Sequence, residues 1–175
     1  TDDGRIQLSK DGGQHWSNIT PSLKGYPKDG WVAQIKTSSF TKGEAYAVVN
    51  NYRNFDFKPY LFRTRDYGKT WESLLTGQNE TFGYSLSMVQ DPVEKKLLFL
   101  GTENGLYISL DEAGTWTKWT KNYPSVPTMD MIIHPKEHDL AIATFARSFY
   151  VLADIRPLRE IAVSGLSALD KDLGI

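Results

Sequence analysis

Thr64-Arg65-Asp66-Tyr67-Gly68-Lys69-Thr70-Trp71 is the stretch on which the fold turns, because it occurs three times. Ser9-Lys10-Asp11-Gly12-Gly13-Gln14-His15-Trp16 precedes it, and Ser109-Leu110-Asp111-Glu112-Ala113-Gly114-Thr115-Trp116 follows it. The shared pattern is Ser/Thr-x-Asp-x-Gly-x-Thr-Trp, with His15 in place of Thr in the first copy and Ala113 in place of Gly in the third. The tryptophans recur at an interval of roughly 50 residues, a period that belongs to propellers and solenoids. Each copy reads as a hairpin corner. An Asp at a turn accepts hydrogen bonds from backbone N–H groups a few residues on, and Gly supplies a φ > 0 position without steric cost. The Trp then opens the returning strand and lays a large apolar surface on its neighbour. Asp11, Asp66 and Asp111, Gly13 and Gly68, and Trp16, Trp71 and Trp116 are therefore expected to be structural.

A second register runs beside the first. Gln90-Asp91-Pro92-Val93-Glu94-Lys95-Lys96-Leu97 aligns with Ile133-His134-Pro135-Lys136-Glu137-His138-Asp139-Leu140, each between two apolar runs. That is strand, turn, strand. The expected first strands are Trp31 to Thr37, Tyr84 to Val89 and Met129 to Ile133, and the second strands Ala45 to Asn50, Leu97 to Gly101 and Leu140 to Thr144. Third strands fall at Ile6 to Ser9, Tyr60 to Thr64, Leu106 to Ser109 and Phe149 to Leu152, and fourth strands at Trp16 to Ile19, Trp71 to Leu75 and Trp116 to Thr120. The fold class is all-β: two complete four-stranded blades plus two partial ones. Residues 1–155 make the partial propeller, and residues 156–175 a C-terminal linker or short helical extension, with Leu166 to Asp172 as its helix or linker. Propellers close on about four to eight blades, so the chain reads as a fragment of a longer protein. Its partners then include the remaining blades of the parent propeller, and its open blade edges allow self-association.

The three boxes resemble the Asp-box, or bacterial neuraminidase repeat, which sits on the turn between the third and fourth strands of a propeller blade. Gly101 to Asp111 and Ile133 to Arg147 are similar to the sortilin-type branch, whose large bacterial members are loosely labelled glycosyl hydrolases. The resemblance runs from about Asp3 to Glu160. That branch ends its propeller with a Thr-x-Gly-Arg-Gly-like loop and an Asp-Asp-Ile-x-Pro-Leu-Arg segment. Here Ala146, Ser148 and Ala153 replace residues of that pattern, glycines of a φ > 0 loop among them. The resemblance implies an exported protein, extracellular or periplasmic.

Composition narrows the function. A net charge of −1 gives no electrostatic case for nucleic acid. No apolar run approaches the roughly 18 residues of a membrane helix, so no membrane insertion is expected. The absence of cysteine argues against a disulfide scaffold or thiolate metal site. His134 and His138 have a metal-ligand spacing, but the repeat places them on a solvated turn, so no metal and no cofactor is expected. Asn18-Ile19-Thr20 and Asn79-Glu80-Thr81 are glycosylation sequons of low specificity.

Blade geometry puts the boxes on one face and the fourth-to-first and second-to-third strand loops on the other. The latter face collects Tyr26, Trp31, Tyr52, Phe55, Phe57, Phe82, Tyr84 and Tyr123. Trp31, Tyr52, Arg53, Tyr84, Glu103, Asn104, Asp130 and Arg147 are the candidate binding residues: flat apolar surfaces with a few polar fixers, the material of a glycan or polypeptide groove. The competing expectation is that these aromatics merely cover blade edges. Catalysis of glycoside hydrolysis needs two carboxylates, and Asp130 with Glu103 is the pair available here. A sialidase, by the same resemblance, needs three converging arginines, and only Arg53 and Arg147 lie on the right face. The main expectation is a glycan- or polypeptide-binding or scaffolding propeller module, a fragment of a larger exported bacterial protein. The alternative is a glycoside hydrolase whose carboxylates are only partly in this chain.

Overall fold

The computed structural model describes residues 4–75, 77, 82–165 and 167. The Asn79 sequon and most of Leu166 to Asp172 lie outside them. In chain order the strands are β1 (Gln7–Leu8), β2 (Ser17–Asn18), β3 (Trp31–Thr37), β4 (Ala45–Asn51), β5 (Asp56–Thr64), β6 (Glu72–Ser73), β7 (Ser85–Gln90), β8 (Leu98–Thr102), β9 (Gly105–Ser109), β10 (Thr117–Trp119), β11 (Thr128–Ile133), β12 (Leu140–Thr144) and β13 (Phe149–Leu152). One helix, α1 (Arg156–Ser164), follows. The sheets are β1-β2, β3-β4-β5-β6, β7-β8-β9-β10 and β11-β12-β13, and neighbouring strands are antiparallel throughout. These are two complete propeller blades (the second and third) flanked by two partial ones, as the repeats require.

Stacking of blades explains the residue choice in the middle strands. Side chains alternate along a strand, so adjacent residues of β4 serve opposite neighbours. Ala47 and Val49 join Ile6 and Phe62 in the core between the first two sheets. Tyr46 and Val48 join Leu61, Met88, Leu98, Leu100 and Tyr107 in the next core. Leu97, Phe99, Leu106 and Ile108 pack against Met131, Ile133, Leu140 and Ile142 in the third. A strand covered on both faces reads as a continuous apolar run, and Leu98-Phe99-Leu100 of β8 is buried throughout.

The boxes close as tied corners. Thr64 Oγ1 accepts the N–H of Gly68 at 2.9 Å and donates to Asp66 Oδ1 at 2.9 Å. Asp66 in turn accepts the N–H of Thr70 at 2.9 Å and its hydroxyl at 2.6 Å. Ser109, Asp111, Ala113 and Thr115 repeat this geometry, with 2.8 Å from the Thr115 N–H to Asp111. Ser9, Asp11, Gly13 and the His15 N–H do so in the first box. Two consecutive left-handed residues make each corner: Gly12 and Gly13, Tyr67 and Gly68, Glu112 and Ala113. Trp116 Nε1 donates to Leu74 O of the preceding blade at 3.3 Å. Trp71 Nε1 is buried without a hydrogen-bond partner among the described residues. The carbonyl in the matching place, Ile19 O, already accepts the N–H and hydroxyl of Ser22. Trp16 departs from the expected core role: it is 61% exposed.

A charge cluster spans the second and third blades beside the boxes. Glu112 takes Arg63 at 3.2 Å, Arg65 at 3.1 Å and Lys95 at 3.1 Å, and Arg63 also holds Glu72 at 2.7 Å. The fully buried Glu44 carboxylate lies 3.5 Å from Arg65 and 3.7 Å from Lys95. The third and fourth blades are joined differently. Ile155 enters their shared core, and α1 starts there with Pro157 in its first turn, where a missing N–H costs nothing. Arg159 forks onto the buried Asp91 with contacts of 3.1, 3.0 and 2.8 Å. The same carboxylate caps the turn through the N–H groups of Val93 and Glu94. His138 meets Arg159 at 3.1 Å and its carbonyl accepts the Ile155 N–H. The expectation of a freely solvated turn is thereby corrected for His138: α1 covers it. His134 Nδ1 accepts the Glu137 N–H, and no group of three metal-binding side chains occurs among the described residues.

Two outcomes follow from these ties. Replacing Arg159 by Met strands the Asp91 charge in the interior and should destabilise the chain by about 3–5 kcal/mol, read from urea melts. Hydrogen bonds from the Thr70 hydroxyl and N–H hold the Asp66 carboxyl down at about 2, and those from His15 lower Asp11. A depressed folded-state value gives stability that is present above the unfolded value of about 3.9 and lost as pH falls toward the folded one. Denaturant midpoints should therefore drop between about pH 4 and 2 in the wild type. Asp66→Ala should start lower and fall less over that window, and equal slopes in the two proteins would refute the tie.

Candidate functional site

The connection from β4 to β5 is tighter than the sequence suggests. Asn51 pairs with Asp56, so only residues 52–55 form the turn, and Phe57 and Pro59 belong to β5 instead of a loop. A short 3-10 turn over Tyr52–Asn54 is closed by Phe55 in the left-handed region at φ 59. Side chains lock the turn in place. Asn54 Nδ2 donates to Asn51 Oδ1 at 2.8 Å and to Asp29 O at 3.2 Å. Asp56 accepts the Tyr60 hydroxyl at 2.6 Å and the Lys58 N–H at 3.3 Å. Burial and that carboxylate push the Tyr60 hydroxyl well up. Burial alone would raise Asp56, but the Tyr60 hydroxyl and the Lys58 N–H outweigh it and lower the carboxyl.

This rigid turn presents a ladder of rings. The Arg53 guanidinium lies 4.6 Å over Trp31 and 5.7 Å from Tyr52. Tyr52 stacks on Tyr84 with centroids 4.6 Å apart, and Phe57 flanks Tyr84 at 6.4 Å. Such contacts each contribute roughly 0.5–1.5 kcal/mol, enough to hold Arg53 and Tyr52 in one arrangement. Tyr84 also brings in the next blade. Its carbonyl accepts the Glu103 N–H at 3.0 Å. Burial, then Glu103 and Tyr52, raise its hydroxyl. Gly83 is required beside them: it has φ +66, and a Cβ there would stand 2.8 Å from Glu103 Cβ and 3.1 Å from Asn104 Nδ2. Trp31, Arg53, Tyr52, Tyr84, Glu103 and Asn104 thus form one continuous surface. At its Trp31 end a recess of about 460 Å³ opens, walled by Asp29, Trp31, Asn50, Asn51, Arg53 and Asn54.

Asp130 has a different set of partners. Asp130 follows a β-bulge in β11, as Gln34 does in β3 and Ser87 in β7. Those places link innermost strands. Gln34 accepts the Met88 N–H at 2.8 Å and donates to Asp130 Oδ1 at 3.3 Å, while Ser87 donates to Thr128 O at 3.0 Å. Asp130 also accepts the N–H of Met131. Arg147 is exposed between Ala146 and Ser148, each at φ 64. The loop keeps a left-handed path although both glycines are gone.

The other aromatics named from sequence divide. Phe82 stacks on Tyr107 at 3.9 Å in the core, Tyr123 packs on Tyr150, and the Tyr26 hydroxyl ties Gly4 and Gly30. These three pack within the fold. Asp29, Asn51 and Asn54 escaped the sequence reading. The only signals for them were polar residues in two separate loops, Asp29 before Trp31 and the asparagines either side of Arg53, indistinguishable from ordinary solvated loops.

Tied Asp corners on stacked antiparallel blades define a sortilin-type β-propeller, and the comparisons agree. The family model described as "Sortilin, neurotensin receptor 3" matches residues 59–154. The chain belongs to the Sortilin-Vps10 family. Vacuolar protein sorting/targeting protein 10 of Aspergillus clavatus is 26% identical over 138 residues, covering 73% of this chain and 9% of the relative. Two glycoside hydrolase family 74 structures share the fold at 17% identity. The Xanthomonas campestris xyloglucanase has a TM-score of 0.63 over 88% of this chain and 26% of its own. The Niastella koreensis enzyme has a TM-score of 0.56 over 70% and 21%. The chain therefore spans a minor part of each protein it matches. No helix among the described residues is long and apolar enough to cross a membrane.

The left-handed loop gives a direct test of its backbone cost. Ala146→Gly and Ser148→Gly should each stabilise the chain by roughly 0.5–1 kcal/mol, the relief of the left-handed penalty less the entropy added to the unfolded state. A fall in melting temperature for either variant would contradict the assignment.

Proposed function

We propose that the chain is a polypeptide-binding module of a larger propeller, and that its ligand lies extended along the face opposite the boxes. The observation that carries this is the ring ladder. Trp31, Arg53, Tyr52 and Tyr84 are ordered by stacking before any ligand arrives, and a rigid surface loses little entropy on binding. Tyr84 and Glu103 extend the ladder onto the third blade, so a ligand would cross from one blade to the next. Membership of a family described by a neuropeptide receptor, together with a relative named for protein sorting, favours polypeptide over glycan. The same two names support an extracytoplasmic location, in line with an exported protein.

The roles divide by chemistry. Tyr52, Tyr84 and Phe57 supply flat apolar area, Arg53 a fixed donor set, and Glu103 with Asn104 the polar end. Immobilised chain should retain members of a random-sequence peptide pool, and Tyr52→Ala or Tyr84→Ala should weaken that binding about tenfold. Asp66→Asn, on the opposite face, should leave it unchanged. Retention of soluble xyloglucan or cello-oligosaccharides in place of peptides would overturn the polypeptide reading. Equal peptide binding by Tyr84→Ala would overturn the site.

A further inference from the structure

We infer that the recess between Asp29 and Arg53 is a subsite for a neutral carboxamide: the side chain of a glutamine or asparagine in the bound polypeptide. This rests on the polypeptide reading and adds the group that the ligand must carry. The recess has two charged walls that do not pair with each other. The Arg53 guanidinium lies over the faces of Trp31 and Tyr52, and its N–H groups have no acceptor among the described residues. The carboxylate nearest in sequence, Asp56, is occupied by Tyr60, Lys58 and Asn51. Across the recess Asp29 sits at φ 57. Its carbonyl is taken by Asn54, while its carboxylate enters no hydrogen bond or ion pair among the described residues.

Each simple ligand group fails one wall. A carboxylate suits Arg53 but is repelled by Asp29, and an ammonium group meets the reverse. An apolar side chain would desolvate both charges without compensation. A carboxamide offers a carbonyl oxygen to Arg53 and an N–H to Asp29 from adjacent atoms, and charge-assisted hydrogen bonds of both kinds are the stronger sort. Shape agrees. A pyranose would need an open aromatic face, and the Trp31 face carries Arg53 at 4.6 Å. A planar amide enters edge-on beside it. The walls are pre-set, because Asn51 and Asn54 hold the turn to the Asp29 backbone.

The test is an NMR titration of the whole chain with N-acetylglutamine methylamide, N-acetylglutamate methylamide and cellobiose. The glutamine compound should shift the Trp31 indole and Arg53 side-chain resonances, and Arg53→Met or Asp29→Ala should weaken it about fivefold each, the loss of one hydrogen bond. The compound is too short to span the ladder and reports on the recess alone, so Asp66→Asn, on the opposite face, should titrate like wild type even if long peptides are not retained. That separates failure of this subsite from failure of the ladder. Tighter binding of the glutamate compound, or shifts of the same resonances by cellobiose alone, would overturn the inference. So would the absence of any shift at saturating glutamine compound.

Discussion

Burial of the middle strands on both faces is the constraint on which the rest depends. β4 and β8 have no solvent face, so each must find a sheet on either side, and alternation sends neighbouring residues to different cores. A blade is consequently unable to complete its packing alone. Two sheets that share a core must also keep a fixed register, because a one-residue slip would exchange the two residue sets of β4. Tyr46 would then face the first sheet, away from Gln90, which now donates to its hydroxyl.

Stacking alone leaves sheets free to rotate or slide, and the face that carries the boxes supplies the restraint. Three devices act there: the tied corners, the charges around Glu112, and the Arg159–Asp91 fork. They differ in chemistry and in reach: the corners are tied within themselves, while the Glu112 charges and the Arg159–Asp91 fork bridge elements far apart in sequence. Because the corners satisfy their own donors, they need no ligand, and their lowered carboxyls follow from those internal bonds. The best-repeated acids of the chain are occupied by architecture.

The opposite face is therefore free to vary, and its order comes from local means. The turn after β4 is fixed by short polar side chains and by stacking of Arg53, Tyr52 and Tyr84. Such a surface keeps polar groups presented at defined positions without deep burial. Asp130 shows the contrast. It lies on an innermost strand, where the bulge places turn side chains toward neighbouring strands, and it serves as a strand link.

Repetition made the architecture legible. Three copies of one corner and a second register located every strand to within a few residues, since period and alternation are properties of the chain alone. They also placed Trp31, Tyr52, Arg53, Tyr84, Glu103 and Asn104 on one face. The resemblance marked the loop at Ala146 and Ser148 as one whose usual glycines are replaced, but that its path stays left-handed is seen only in the fold. Tertiary structure alone decided which of these residues meet. Whether Tyr84 stacks on Tyr52, or Phe82 sinks onto Tyr107 instead, depends on inter-blade distances that no local pattern encodes. The docking of α1 through Arg159 onto Asp91 joins residues on different blades, and the link from Gln34 to Asp130 crosses a whole blade. A sequence fixes the face of a strand because backbone geometry is local; it leaves partners across a core open because they depend on how all the sheets pack at once.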